Sequence, residues 1–226
     1  MDRELQLEIL KALSDALSES FIADGISEDE FTNWAWNMNS EIKLKIGESE
    51  RYFYICHGAT KGVFVPMESE FFPYVIKIPF LYKEDFDYCE KEIVIYQEAQ
   101  KCGDLLKDFF APSGIIGRIG SLPVYWMEYF PISEDYNDDS AIKIFMESYD
   151  RNREEDDDEI IEEFYSSVAS DSQGVFEFLL SQNYSKEDIK NIENFLCKYS
   201  VNDLHTSNFY YDEYSCDIVL IDYSGY

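Results

Sequence analysis

Apolar residues at the start of the chain recur mostly at helical spacing: Leu5, Leu7, Ile9, Leu10, Leu13, Leu17 and Phe21 over residues 4–21. "SEDE" at 27–30 reads as a capping box that opens a second helix through "FTNWAWNM". The pattern then changes to β-branched and aromatic residues in "YFYICHGATKGVFVP" (52–66) and "FPYVIKIPF" (72–80), with Gly58 and Gly62 at a turn. Three antiparallel strands are expected there. A helix follows in "DYCEKEIVIYQEAQKC" (87–102), with Ile93, Tyr96 and Ala99 in step, and "GIIGRIGSLPVYWMEYF" (114–130) predicts two more strands. In the second half an acidic run at 154–163 reads as a solvated helix face or an insertion. "SKED" (185–188) caps a helix carrying Ile189, Ile192, Phe195, Leu196 and Tyr199. The last segment predicts a hairpin with its turn at "DEYS". No internal repeat is visible.

Composition narrows the function classes. The chain has 226 residues, 46% of them hydrophobic and 17% aromatic, enough for one large domain or two small lobes. Eighteen basic residues stand against 47 acidic ones, a formal net charge of −29. Such a field repels nucleic-acid phosphates and anionic lipid, which disfavours direct nucleic-acid or membrane binding. It suits a basic protein partner, or an acidic mimic of nucleic acid. "MDRELQLEIL" lacks a signal-peptide profile, and no apolar stretch is long enough to span a bilayer. Five scattered cysteines and two histidines make a zinc site improbable, so reduced thiols in a cytoplasmic protein are expected.

Candidate chemistry gathers in the final hairpin. If Asn208 begins one strand and Asp222 ends its partner, an amide oxygen and a carboxylate meet as hard ligands suited to Mg²⁺ on a nucleotide's phosphates. Asp203 lies on the same loop, where it could accept a proton from an attacking hydroxyl. In "YVIKIPF" alternation puts Val75 and Lys77 on one face and Tyr74, Ile76 and Ile78 on the other. A strand lysine often only extends to solvent. The helix that follows holds Glu90 and Glu92, either able to pair with it.

Taken in order, these pieces resemble the protein-kinase-like superfamily: a glycine turn, a strand lysine, a helix glutamate, two strands, a helix, D-x-x-x-x-N, a strand and an aspartate. Tyr74-Val75-Ile76-Lys77 matches "V-A-I-K", "VNDLHTSN" matches "H-R-D-L-x-x-x-N", and Asp222-Tyr223-Ser224 matches "D-F-G". The resemblance implies a two-lobed α+β fold, with an antiparallel-sheet N-lobe at 49–130 and a truncated helical C-lobe at 131–226 ending in a metal-binding β-hairpin. Residues 1–48 lie outside it as a helical extension. It also implies that Lys77 holds the phosphates of ATP and pairs with Glu92, with Glu90 as the alternative. Asp203 becomes the catalytic carboxylate, and Asn208 and Asp222 the Mg²⁺ ligands. Gly58 and Gly62 flank the phosphates, the backbone of Glu128–Phe130 contacts adenine, and Val75 and Val63 pack on its ring.

"D-L-H-x-x-N" is similar to aminoglycoside and other small-molecule phosphotransferases, and to small kinase-like proteins of bacteriophages whose pattern ends in "DYSG". His205 either replaces the lysine that steadies the transferring phosphate or is a structural loop histidine. The sequence departs from protein kinases at Val201 and Asn202, in the sparse glycine turn, and in lacking A-P-E after Asp222. No peptide-binding platform is therefore expected, and the phosphoacceptor, protein or small molecule, stays open. A pseudokinase that binds partners without catalysis is the alternative.

Overall fold

A computed structural model of the chain describes residues 1–17, 43–57, 60–80, 88–130, 180, 183–202, 204, 208–211 and 218–224, with 55–57 described by backbone alone. The expected helix after "SEDE", the acidic run 154–163 and the "DEYS" turn lie outside the described residues. The fold is mixed α and β, in two compact units: Met1–Glu98 with Ala111–Tyr129, and Ala99–Phe110 with Phe130–Tyr226.

In the first unit, α1 (Arg3–Ala16) starts at Asp2, whose carboxylate accepts the Leu5 N–H at 2.9 Å. This satisfies one of the donors that a helix start leaves open. Six antiparallel strands follow: β1 (Lys43–Ile46), β2 (Ser49–His57), β3 (Lys61–Pro66), β4 (Tyr74–Pro79), β5 (Ser113–Ile119) and β6 (Leu122–Glu128). The helix α2 (Tyr88–Lys101) leaves between β4 and β5. Sheet order is β1-β2-β3-β4-β6-β5, so β6 inserts beside β4 and leaves β5 at the edge. A two-residue turn joins β5 to β6, with Gly120 at φ 60°, a conformation that hairpin turns of this length require and glycine adopts freely.

Register shifts interrupt β1–β2, β2–β3 and β5–β6, and such bulges add to the twist that strands already carry. The sheet consequently curls until its two edge strands, β1 and β5, both lie against α1. Ile9, Ala12, Leu13 and Leu17 form one buried cluster with Leu44 of β1, Phe64 of β3, Ile76 and Ile78 of β4, and Ile116 of β5. Gly117 permits the close approach, since a Cβ there would come within 2.8 Å of a Leu10 methyl.

Two expectations are corrected here. Residues 1–48 are not simply a helical extension: Lys43–Ile46 is a sheet strand, and α1 supplies part of the sheet's own core. Gly62 is not a turn residue but lies within β3, paired with His57 on one side and Ile78 on the other. Leu7 also leaves the apolar stripe, at 59% exposure, because it sits about 200° around the helix from Ile9.

The second unit contains α3 (Asp104–Phe109), α4 (Lys186–Lys198) and the pair β7 (Phe209–Tyr211) and β8 (Ile218–Leu220). Its aromatic core centres on Phe110, whose ring meets those of Phe109, Phe195 and Tyr223 at 5.4, 5.4 and 5.0 Å. Ser185 opens α4 with the expected cap: its hydroxyl accepts the Asp188 N–H, and the Asp188 carboxylate accepts the Ser185 N–H. Among the described residues, no helix is long and apolar enough to cross a membrane.

If α1 is integral to the sheet, the same substitution at two of its positions should differ sharply. Leu13→Ala is expected to lose about 2–5 kcal/mol in chemical denaturation. Leu7→Ala should stay within about 0.5 kcal/mol of the parent protein.

Candidate functional site

Lys77 occupies the fourth strand of the sheet order, opposite Val63 of β3 and Tyr125 of β6. Strand alternation sends Ile76 and Ile78 into the core shared with α1, and turns Lys77 to the other face. The residue is 4% exposed, so its side chain does not extend to solvent. Its ammonium donates to both carboxylate oxygens of Glu92, at 2.9 Å to Oε2 and 3.1 Å to Oε1, and lies 3.3 Å from the Met127 sulfur.

Glu92 reaches this position because α2 buries a stripe of Cys89, Glu92, Ile95, Tyr96 and Ala99, spaced by three or four residues. Ile93 is only half-buried, and Glu90 falls on the exposed side of the helix. The carboxylate also accepts from Lys61, a residue the sequence pattern did not single out. Lys61 Nζ lies 2.6 Å from Glu92 Oε1, and its side chain is 3% exposed. Three buried ionic groups therefore meet on one face of the sheet. The signal for Lys61 was its spacing of two from Val63, which puts both on the face that carries Lys77. Only the register of β3 on β4 reveals it.

Val63 is half-buried and Val75 buried on the same stretch of sheet. At the end of β6, Glu128 and Tyr129 give their N–H groups to the carbonyls of Pro112 (2.7 Å) and Pro73 (2.9 Å). Two of the three backbone N–H groups in the stretch expected to contact adenine are thus engaged within the first unit. Phe130 packs its ring 5.4 Å from that of Tyr210, in the second unit.

In that second unit the chain leaves α4 through a Schellman turn. Ser200 adopts φ 53°, its N–H bonds the Cys197 carbonyl at 3.2 Å, and the Val201 N–H bonds the Leu196 carbonyl at 2.9 Å. Val201 and Leu196, the two positions that frequently carry an apolar pair in this motif, are both buried. Val201, where protein kinases carry histidine, thereby anchors the start of "VNDLHTSN". Asp203 and His205 of that stretch, with Gly58 of the first unit, lie outside the described residues.

Asn208 and Asp222 flank β7 and β8. The Asn208 carbonyl accepts the N–H of Ile221 at 2.9 Å and of Asp222 at 3.4 Å, so the two residues are tied through the backbone. Tyr223, fully buried against Phe110, fixes the chain just beyond Asp222. The Ser224 hydroxyl donates to Asp222 Oδ1 at 3.4 Å. An amide and a carboxylate held this way are hard-oxygen donors of the kind Mg²⁺ uses alongside water and phosphate. Among the described residues no three or more His, Cys, Asp or Glu side chains gather into a metal-binding group. Any cation here must draw its remaining ligands from elsewhere.

No family model, curated protein or solved structure matches this chain.

Two outcomes test the electrostatics. Glu92→Gln removes the anion that two buried ammonium groups share, and is expected to cost about 3–5 kcal/mol in denaturant unfolding. Burial also pushes the Glu128 carboxyl above the usual carboxylate range. The folded chain then holds that proton more tightly than the unfolded one. The group favours folding below its unfolded pKa, and this contribution is lost as pH rises through the folded value. Glu128→Gln should therefore melt higher than the parent near pH 7, and that advantage should vanish below about pH 4.

Proposed function

We propose that this chain is an ATP- and Mg²⁺-dependent phosphotransferase built on a two-lobed, protein-kinase-like plan. The observation that carries the reading is the buried ion pair between Lys77 and Glu92. Protein kinases place a lysine on the third strand of the sheet lobe, counting the strand before the glycine turn as the first, and pair it with a glutamate of the next helix. Here the lysine strand is the third counted from β2, and the glutamate is on the helix that follows it. A buried lysine and a buried glutamate are each uncommon, and a bidentate contact between them is more specific still. The backbone tie between Asn208 and Asp222 adds independent support, because the resemblance assigns metal binding to those two residues.

In this reading Lys77, oriented by Glu92, holds the α- and β-phosphates. Asp222 and Asn208 hold Mg²⁺, which neutralises phosphate charge and makes a polyanion tolerable in a protein of net charge −29. Asp203 orients the acceptor hydroxyl and takes its proton as the new P–O bond forms and the bond to the β-phosphate breaks. His205 is the candidate to steady the transferring phosphate. Positioning and charge neutralisation supply most of the rate enhancement. The acceptor is an alcohol group on a protein or a small molecule.

The net charge of −29 favours a second reading, in which the same fold is a binding module that presents an acidic surface to a basic partner or mimics nucleic acid.

Thermal denaturation separates the two. Mg-ATP at a hundred times its Kd should stabilise the protein by about 2.7 kcal/mol. That gain should disappear in Asp222→Ala and when Mg²⁺ is chelated, and transfer of labelled γ-phosphate to a lysate or metabolite pool should vanish in Asp203→Asn. A protein whose melting is indifferent to every nucleotide is a binding module instead.

A further inference from the structure

We propose that Lys61 is a second phosphate-binding cation, so that the ligand's phosphates meet a clamp of two ammonium groups ordered by one carboxylate. The proposal rests on the nucleotide reading and adds to it a residue outside the Lys–Glu pair.

Three observations carry it. First, β3 pairs with β4 so that Val63 faces Lys77, and Lys61, two residues before Val63, shares that face. Second, both ammonium groups reach the same atom, Glu92 Oε1, at 2.6 Å for Lys61 and 3.1 Å for Lys77. They are therefore close enough to contact one phosphate chain together. Third, both are almost fully buried, at 3% and 4% exposure, in a chain with only 18 basic residues. Desolvating an ammonium is costly, and lysine is among the residues least often buried.

Lys77 alone spans both carboxylate oxygens of Glu92, and Lys61 adds a second ammonium at the same carboxylate. Two such cations suit a polyphosphate, whose charge spreads over successive phosphoryl groups and is best met by more than one fixed cation.

Calorimetric titration of the full chain with Mg-ATP, Mg-tripolyphosphate and adenosine tests this in Lys61→Gln, which keeps a donor toward Glu92 but removes the charge. Affinity for Mg-ATP and Mg-tripolyphosphate should fall about 10- to 100-fold, the effect of one charge-assisted hydrogen bond, with adenosine binding unchanged. An equal loss for adenosine, or no loss for either phosphate ligand, overturns the proposal. Should Lys61→Gln fail to fold, ¹⁵N-lysine NMR of the parent protein decides. The Nζ resonances of both Lys61 and Lys77 should move on adding Mg-tripolyphosphate, and movement of Lys77 alone overturns the clamp. If Lys77→Met abolishes ATP binding while Lys61→Gln preserves it, the clamp is wrong and the nucleotide reading stands. If the parent protein binds neither ATP nor tripolyphosphate, both fall together.

Discussion

A single buried carboxylate organises the candidate chemistry of the first unit. Glu92 is 2% exposed and accepts hydrogen bonds from Lys77 and Lys61, which come from neighbouring strands. An unpaired charge could not persist at that depth, because its desolvation would exceed the energy that packing can return. The three residues consequently constrain one another. Lys77 fixes which face of β4 turns toward α2, Glu92 fixes the rotation of α2, and Lys61 fixes the register of β3 against both. The apolar side of the same strand enforces the same choice, since Ile76 and Ile78 are committed to the core with α1. A one-residue slip of β4 would bury Lys77 among isoleucines and turn Ile76 toward Glu92.

The second unit fixes its own candidate groups by different means. Aromatic packing around Phe110 holds Tyr223, and so the backbone that follows Asp222. The Schellman turn at Ser200 directs the chain out of α4 with Val201 buried as an anchor. Ser200 adopts a left-handed conformation that favours glycine, a small strain placed at the entrance to the candidate catalytic loop. Rigid flanks around a short polar stretch are what a catalytic loop needs, because its side chains must be held in place before any ligand arrives.

Much of this was legible in the sequence where a local rule decides. Alternation in "YVIKIPF" placed Lys77 opposite the isoleucines, and "SKED" announced the cap of α4. Periodicity could also have separated Glu92 from Glu90, because Cys89, Glu92, Ile95, Tyr96 and Ala99 form the buried stripe. What escaped depended on long-range pairing. The four-residue strand "KLKI" is too short to stand out, and it owes its place to β2 and to α1. The stripe on α1 signals that something covers it, but not that a curled sheet does. Lys61 looked like part of a glycine turn until the β3–β4 register put it on the face that carries Lys77. Asp203 and His205, the residues on which the resemblance places the reaction itself, lie outside the described residues, so their roles rest on the motif alone.

Labelling tests, without any mutation, the claim that nucleotide phosphates sit at the Glu92 cluster. An ATP analogue carrying an acyl group on its terminal phosphate transfers that group to a lysine amine held beside the phosphates. After digestion, mass spectrometry identifies the modified residue. Acylation is expected at Lys77 or Lys61, and an excess of Mg-ATP should suppress it. Labelling confined to exposed lysines, or labelling at Lys77 that Mg-ATP leaves unchanged, would contradict the claim.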